Sequence, residues 1–132
     1  MDIEEIISDA AARRASDIHI CCGLPVKLRI DGQIVSLDEH LLTHDECEAL
    51  TSQLADMTGS SLGECGSSEC GEADFAGSIR GQRIRVNVFR QQTHASAAIR
   101  LLSDSIPEFD KLGLPEVVRS FSSYKRGIVL VT

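Results

Sequence analysis

The sequence has no run of about 18 apolar residues, so it predicts no helix that crosses a membrane. It also lacks a basic leading segment: Met1-Asp2-Ile3-Glu4-Glu5 is acidic, which speaks against a secretory signal. No G-x-S-x-G run is present, and no pair of carboxylates can be placed as an acid and base. The phosphate-cradling pattern G-x-x-x-x-G-K-[ST] is missing as well. Positive charge is scarce, with 13 Lys and Arg against 20 Asp and Glu and a net charge of −7. A general nucleic-acid binder would be basic, so nucleic acid is not the expected partner. The five cysteines are odd in number and show no paired framework spacing, which fits a reduced, cytoplasmic protein.

What is present fits one domain with a fragment of a second, since the chain has 132 residues of which 42% are apolar. Charge is distributed unevenly. From Ile30 to Ile79 there are eleven acids and no Lys or Arg, whereas from Arg80 to Arg100 there are five Arg and no acid. A clustered positive segment in an acidic protein points to an anionic partner.

Residues 3–14 are predicted to be helical, because Ile3, Ile6, Ile7 and Ala10 form one apolar stripe. Asp17–Ile20 follows as a short strand. Val26–Ile30 and Gln33–Leu37 flank Asp31-Gly32, a two-residue hairpin signal that pairs Leu28 with Val35 and Val26 with Leu37. Thr43-x-x-Glu46 is a capping box, with Leu42 and Cys47 as a hydrophobic staple, and the helix it starts ends near Gly59. Thr58 to Gly71 is a loop or weak helix. Three strands follow, near Ala73–Ile79, Arg83–Gln91 and Ser96–Leu102. Pro115 starts a short helix reaching to about Tyr124, and Gly127–Thr132 has the continuous apolar, β-branched pattern of a strand buried on both faces. Such a strand lacks a partner here, so the chain looks cut inside a second domain. The whole is an α+β pattern that suits a small PAS-like domain with helices on one face of an antiparallel sheet.

A turn at Gln92-Thr93 would place Arg85 directly opposite Arg100 on one face, with Arg83 on the same face and Arg90 on the other. Like charges facing each other destabilise a sheet, so the pair calls for an anion beside it. The planar guanidinium fork suits a phosphate. The alternative is a set of solvated arginines on an exposed sheet.

Other candidates carry less chemistry. Cys21-Cys22 is expected to point one side chain inward and one outward. Joined by Cys65 and Cys70 the pair would make a zinc site, but the spacing fits no common zinc pattern and buried structural cysteine is the simpler account, so no metal is expected. His19 is read as a hydrogen-bonded structural residue, and Asp17 as bonding the adjacent backbone.

Six segments, taken in order, resemble the secretion ATPase family, and its PilT-type members most closely. They are Ala15-Ser16-Asp17-Ile18-His19-Ile20; Gly23-Leu24-Pro25-Val26-Lys27-Leu28-Arg29-Ile30-Asp31-Gly32; Arg83-Ile84-Arg85-Val86-Asn87-Val88-Phe89; Ile99-Arg100; Leu112-Gly113-Leu114-Pro115; and Arg126-Gly127-Ile128-Val129-Leu130-Val131-Thr132. The chain departs from the family in the Gly63–Gly71 stretch and in the turn near Gln92-Thr93-His94. The resemblance implies a PAS-like N-terminal domain over residues 1–103. Residues 104–132 would be a linker and the first helix and strand of a truncated RecA-like domain. It further implies a homo-hexameric parent that binds ATP and Mg²⁺, meets pilus or secretion platform proteins at the inner membrane, and works in the cytoplasm. Arg85 and Arg100 match the arginines that reach the triphosphate in such motors, and Arg83, on the same face, is a lesser candidate. The fragment itself would bind no cofactor and hydrolyse no ATP. The other reading is a free-standing PAS-like sensor or ligand-binding module.

Overall fold

The computed structural model of the chain describes residues 2–60, 72–91, 93–103 and 105–130. Helix α1 spans Ile3–Ala12, capped by the Asp2 side chain, which accepts from the Glu4 amide. It ends two residues earlier than the apolar stripe suggested, because Arg14 turns into the left-handed region at φ 58°. Strand β1 is Asp17–Ile20, β2 is Lys27–Ile30 and β3 is Gln33–Ser36. Asp31 and Gly32 both have positive φ, 49° and 80°, the turn that matches the twist of its two strands. Leu28 pairs with Val35, and the Leu37 amide donates to Val26 O at 2.8 Å, so the hairpin register expected from sequence holds.

Helix α2 covers His44–Thr58. Both halves of the capping box form, with Thr43 Oγ1 accepting from the Glu46 amide and Glu46 accepting from the Thr43 amide at 2.8 Å. Leu42 and Cys47 are buried together at the staple positions, and Gly59 caps the other end in the left-handed region. Residues 61–71, with Cys65 and Cys70, lie outside the described residues.

Strands β4 (Glu72–Ile79), β5 (Gln82–Gln91) and β6 (His94–Leu102) form an antiparallel meander. The sheet order is β3-β2-β1-β6-β5-β4, antiparallel throughout. Two three-stranded halves are therefore joined where the first strand pairs with the last, and α2 links β3 on one edge to β4 on the other. Alternation along the strands sends Ile18, Ile20, Leu28, Ile84, Val86, Val88, Ala97 and Ile99 to one face. There they form a single core with Ile3, Ile6, Ile7, Leu50 and Leu54 of the two helices. Both helices thus cover one face and leave the other open. This is the α+β arrangement expected, realised as a six-stranded sheet.

The C-terminal part differs from expectation. A 3-10 turn at Phe109–Leu112 precedes α3, which is only Glu116–Ser120 before the chain tightens to 3-10 at Phe121–Ser123. Residues 127–130 form no strand; residues 131–132 lie outside the description. A strand needs a ladder partner, and Ile128 and Leu130 are 87% and 82% exposed, with no strand paired to them among the described residues. None of the described residues from 105 to 130 belongs to the buried core.

Candidate anion-binding face

The open face of the sheet carries most of the charged side chains of the strands. One row runs straight across it. Arg29 faces Asp17, Asp17 faces Arg100, Arg100 faces Arg85, and Arg85 faces Ala76. The Gln91–His94 pair closes the β5–β6 hairpin at the expected place, so Arg85 and Arg100 are indeed cross-strand neighbours. Arg83 shares their face. Arg90 lies on the opposite face, where its guanidinium meets Glu48 at 3.3 Å and donates to Thr93 O at 3.0 Å.

Like charges in the middle of the row are answered by carboxylates of the chain itself. Arg100 Nε donates to Asp17 Oδ1 at 3.0 Å, and Arg29 Nε approaches Asp17 Oδ2 at 3.5 Å. Arg85 reaches diagonally to Asp74, donating from Nε at 3.2 Å and from Nη2 at 2.7 Å, a bidentate pair. The anion that two facing arginines call for beside them is supplied by the chain itself, as Asp17 and Asp74. Burial works to raise the pKa of Asp17, but hydrogen bonds from Arg100 and Ser16 and the nearby guanidinium charges outweigh it, and its carboxyl sits below the ordinary value. The Asp74 carboxyl is also lowered, chiefly by its hydrogen bonds from Arg85, which in turn hold that guanidinium's pKa up. Asp17, Arg85, Asn87, Ala98 and Arg100 line an open depression of about 180 Å³.

The arginines stay accessible. Side-chain exposure is 65% for Arg85 and 68% for Arg100, against 16% for Asp17. Ion pairs so exposed contribute little stability, so these cations remain open to an incoming anion. Asp17 and Asp74 were not picked out as their partners. Asp17 bonds the Ser16 hydroxyl at 2.9 Å and two guanidiniums rather than the adjacent backbone expected for it.

The remaining candidates separate. Cys21 and Cys22 sit in the turn after β1, both half-buried, and Cys22 packs against the core. His19 is not hydrogen-bonded as expected: its buried Nε2 has no partner among the described residues. No group of three or more metal-ligating side chains occurs among the described residues, and no described helix is long and apolar enough to span a membrane.

No protein-family model matches the chain. Over its whole length it is 34% identical to the type IV pilus retraction ATPase PilT of Pseudomonas aeruginosa, of which it spans 38%. A crystal structure of the pilus retraction motor PilT with bound ADP superposes with a TM-score of 0.75 at 38% identity, covering 94% of this chain and 36% of that one. The ATPase DotB of Yersinia pseudotuberculosis is similar at a TM-score of 0.64 and 25% identity, over 89% of this chain and 34% of that one. The chain therefore spans little more than a third of the relatives it matches. By sequence and by fold the chain is similar to PilT-type pilus and secretion ATPases, in a manner consistent with their N-terminal region.

Proposed function

We propose that the chain is the N-terminal regulatory and assembly domain of a hexameric motor ATPase that drives pilus retraction, as in twitching motility, or a related secretion step. The observation that supports this most is the pairing of Arg85 with Arg100 on the open face of a chain homologous to such motors. In this reading residues 1–103 are a PAS-like domain, and residues 104–132 are a linker and the start of a RecA-like motor domain. That motor domain holds ATP and Mg²⁺, and this chain contributes two guanidiniums to the triphosphate. Both act as arginine fingers on charge that develops in the transition state, a role worth about 10³–10⁵ in rate in other NTPases. Arg83 is a lesser contributor on the same face. The parent works as a homo-hexamer in the cytoplasm and docks on platform proteins at the inner membrane. The chain alone, without a phosphate-cradling loop, turns over no ATP.

The test is steady-state ATPase activity of the full-length motor carrying Arg85→Ala, Arg100→Ala or Arg90→Ala, each checked for assembly. Arg85→Ala and Arg100→Ala should lower turnover far more than nucleotide affinity, because a finger acts on the transition state. Arg90→Ala, on the covered face, is the control. Parent rates in both open-face variants would remove the finger role.

A further inference from the structure

Of the two carboxylates on the arginine row, Asp17 is the more firmly held. It lies on β1, an interior strand, between Arg29 of β2 and Arg100 of β6. Both of its oxygens are engaged. Oδ1 accepts from Arg100 Nε at 3.0 Å, while Oδ2 accepts from the Ser16 hydroxyl at 2.9 Å and lies 3.5 Å from Arg29 Nε. Its side chain is 16% exposed, against 68% for Arg100. Burial raises its pKa, but hydrogen bonds from Arg100 and Ser16 and the guanidinium charges bring it below the ordinary value, so it stays an anion. A short, fixed anion thus meets a long, solvent-facing cation.

An exposed arginine left to itself samples many rotamers, and fixing one at the moment of reaction costs entropy. A bond to Nε restrains the planar guanidinium without using its Nη hydrogens, which remain as donors. Asp74 treats Arg85 differently. It takes both Nε and Nη2, from a side chain that is itself 45% exposed, and so occupies donors that a phosphate would use.

We propose that Asp17 is a positioning residue for Arg100, holding it by Nε so that both Nη groups can donate to a phosphate at the depression that Asp17, Arg85 and Arg100 line. This rests on the finger role proposed above. Asp17 is an acceptor and an anion, so it makes no favourable contact with phosphate itself. That gives its removal a distinctive sign. Were it only a charge beside the site, deleting it would strengthen anion binding and leave turnover equal or faster. As a positioning residue, its loss slows turnover although a repulsive charge has gone.

The test is steady-state ATPase of the full-length motor carrying Asp17→Ala, Arg100→Ala or both, with hexamer assembly and thermal unfolding checked for each. Asp17→Ala should lower kcat about 10²-fold, the scale of a misplaced catalytic group, without raising KM for ATP. The double variant should be no slower than Arg100→Ala, because the two residues act as one unit. Asp17→Asn keeps the size and one acceptor oxygen; it should show the same coupling with a smaller loss, and it takes the place of alanine if that variant does not assemble. A parent or faster kcat in the Asp17 variants beside a slow Arg100→Ala would overturn the positioning role alone. So would losses that add in full in the double variant, since Asp17 would then act independently of Arg100. A parent rate in Arg100→Ala would remove the finger role and this inference with it.

Discussion

At Gly77 of β4 the chain has no room for a methyl group, and Gly77→Ala measures how tightly the sheet is held to α2. A Cβ there would lie 2.5 Å from Thr58 Cγ2, 2.8 Å from Thr58 Cβ and 3.3 Å from Thr58 Cα. Thr58 has little freedom to turn away. It is β-branched, and its hydroxyl donates to Leu54 O at 2.8 Å and Ala55 O at 3.1 Å. Gly77 does not have a positive φ, so alanine meets no backbone strain of that kind, and loss of freedom in the unfolded chain favours it by about 0.4–1 kcal/mol. Overpacking costs about 1–3 kcal/mol. Crowding wins, with a net loss of about 1–2 kcal/mol, and each kcal/mol lowers Tm by about 4–8 °C in a domain of this size. Thermal and urea unfolding followed by circular dichroism would read it. Thr58→Ser removes the nearest methyl group and keeps the hydroxyl, so in that background the cost of Gly77→Ala should shrink. A neutral or stabilising Gly77→Ala, or the same cost in both backgrounds, would refute the proposed crowding.

The helix cap should show in acid. The Thr43 backbone amide, then the His40 and Thr43 side chains, hold the Glu46 pKa at about 2, below its ordinary 4.5. A depressed folded-state pKa stabilises above the ordinary value and stops doing so as pH falls from 4.5 towards about 2. Glu46→Gln should therefore flatten the acid limb of the stability profile, and an unchanged limb would show the cap to be electrostatically silent. Ending the chain at Ser103 should leave the cooperative unfolding transition in place, because residues 105–130 bury nothing in the core; loss of that transition would place the domain boundary elsewhere.

The parts of the fold legible in the sequence are those set by neighbouring residues. Asp31-Gly32 specifies its turn through backbone sterics, and the turn then sets which side chains pair. Thr43 and Glu46 specify a helix start because three residues bring their groups together. The Arg85–Arg100 pairing was readable for the same reason, since a short turn at Gln92-Thr93 leaves few registers. Pairings set by the whole topology were not. Asp17 and Arg100 are 83 residues apart and meet only because β1 docks against β6. At Gly127 to Leu130 the apolar composition suggested a strand, but a strand forms only against a neighbour, which composition does not supply.

The arginine row follows from the same topology. If β1 lay at an edge, Arg100 and Arg85 would face each other with Asp74 as their one acidic neighbour. Pairing the first strand with the last inserts Asp17 between Arg29 and Arg100, so charge alternates along the row until the Arg100–Arg85 step. The two arginines then differ. Arg85 commits Nε and Nη2 to Asp74, whereas Arg100 gives only Nε to Asp17. The Asp17–Arg100 contact thus orients the guanidinium while leaving both of its Nη groups directed to other partners or to water. A phosphate approaching the depression would find donors on Arg100 without breaking an existing pair, but would compete with Asp74 for Arg85. With carboxylates already in place, the face is poorly suited to capturing an anion alone. It is better suited to adding donors to an anion that another surface holds, as the proposed finger role would require.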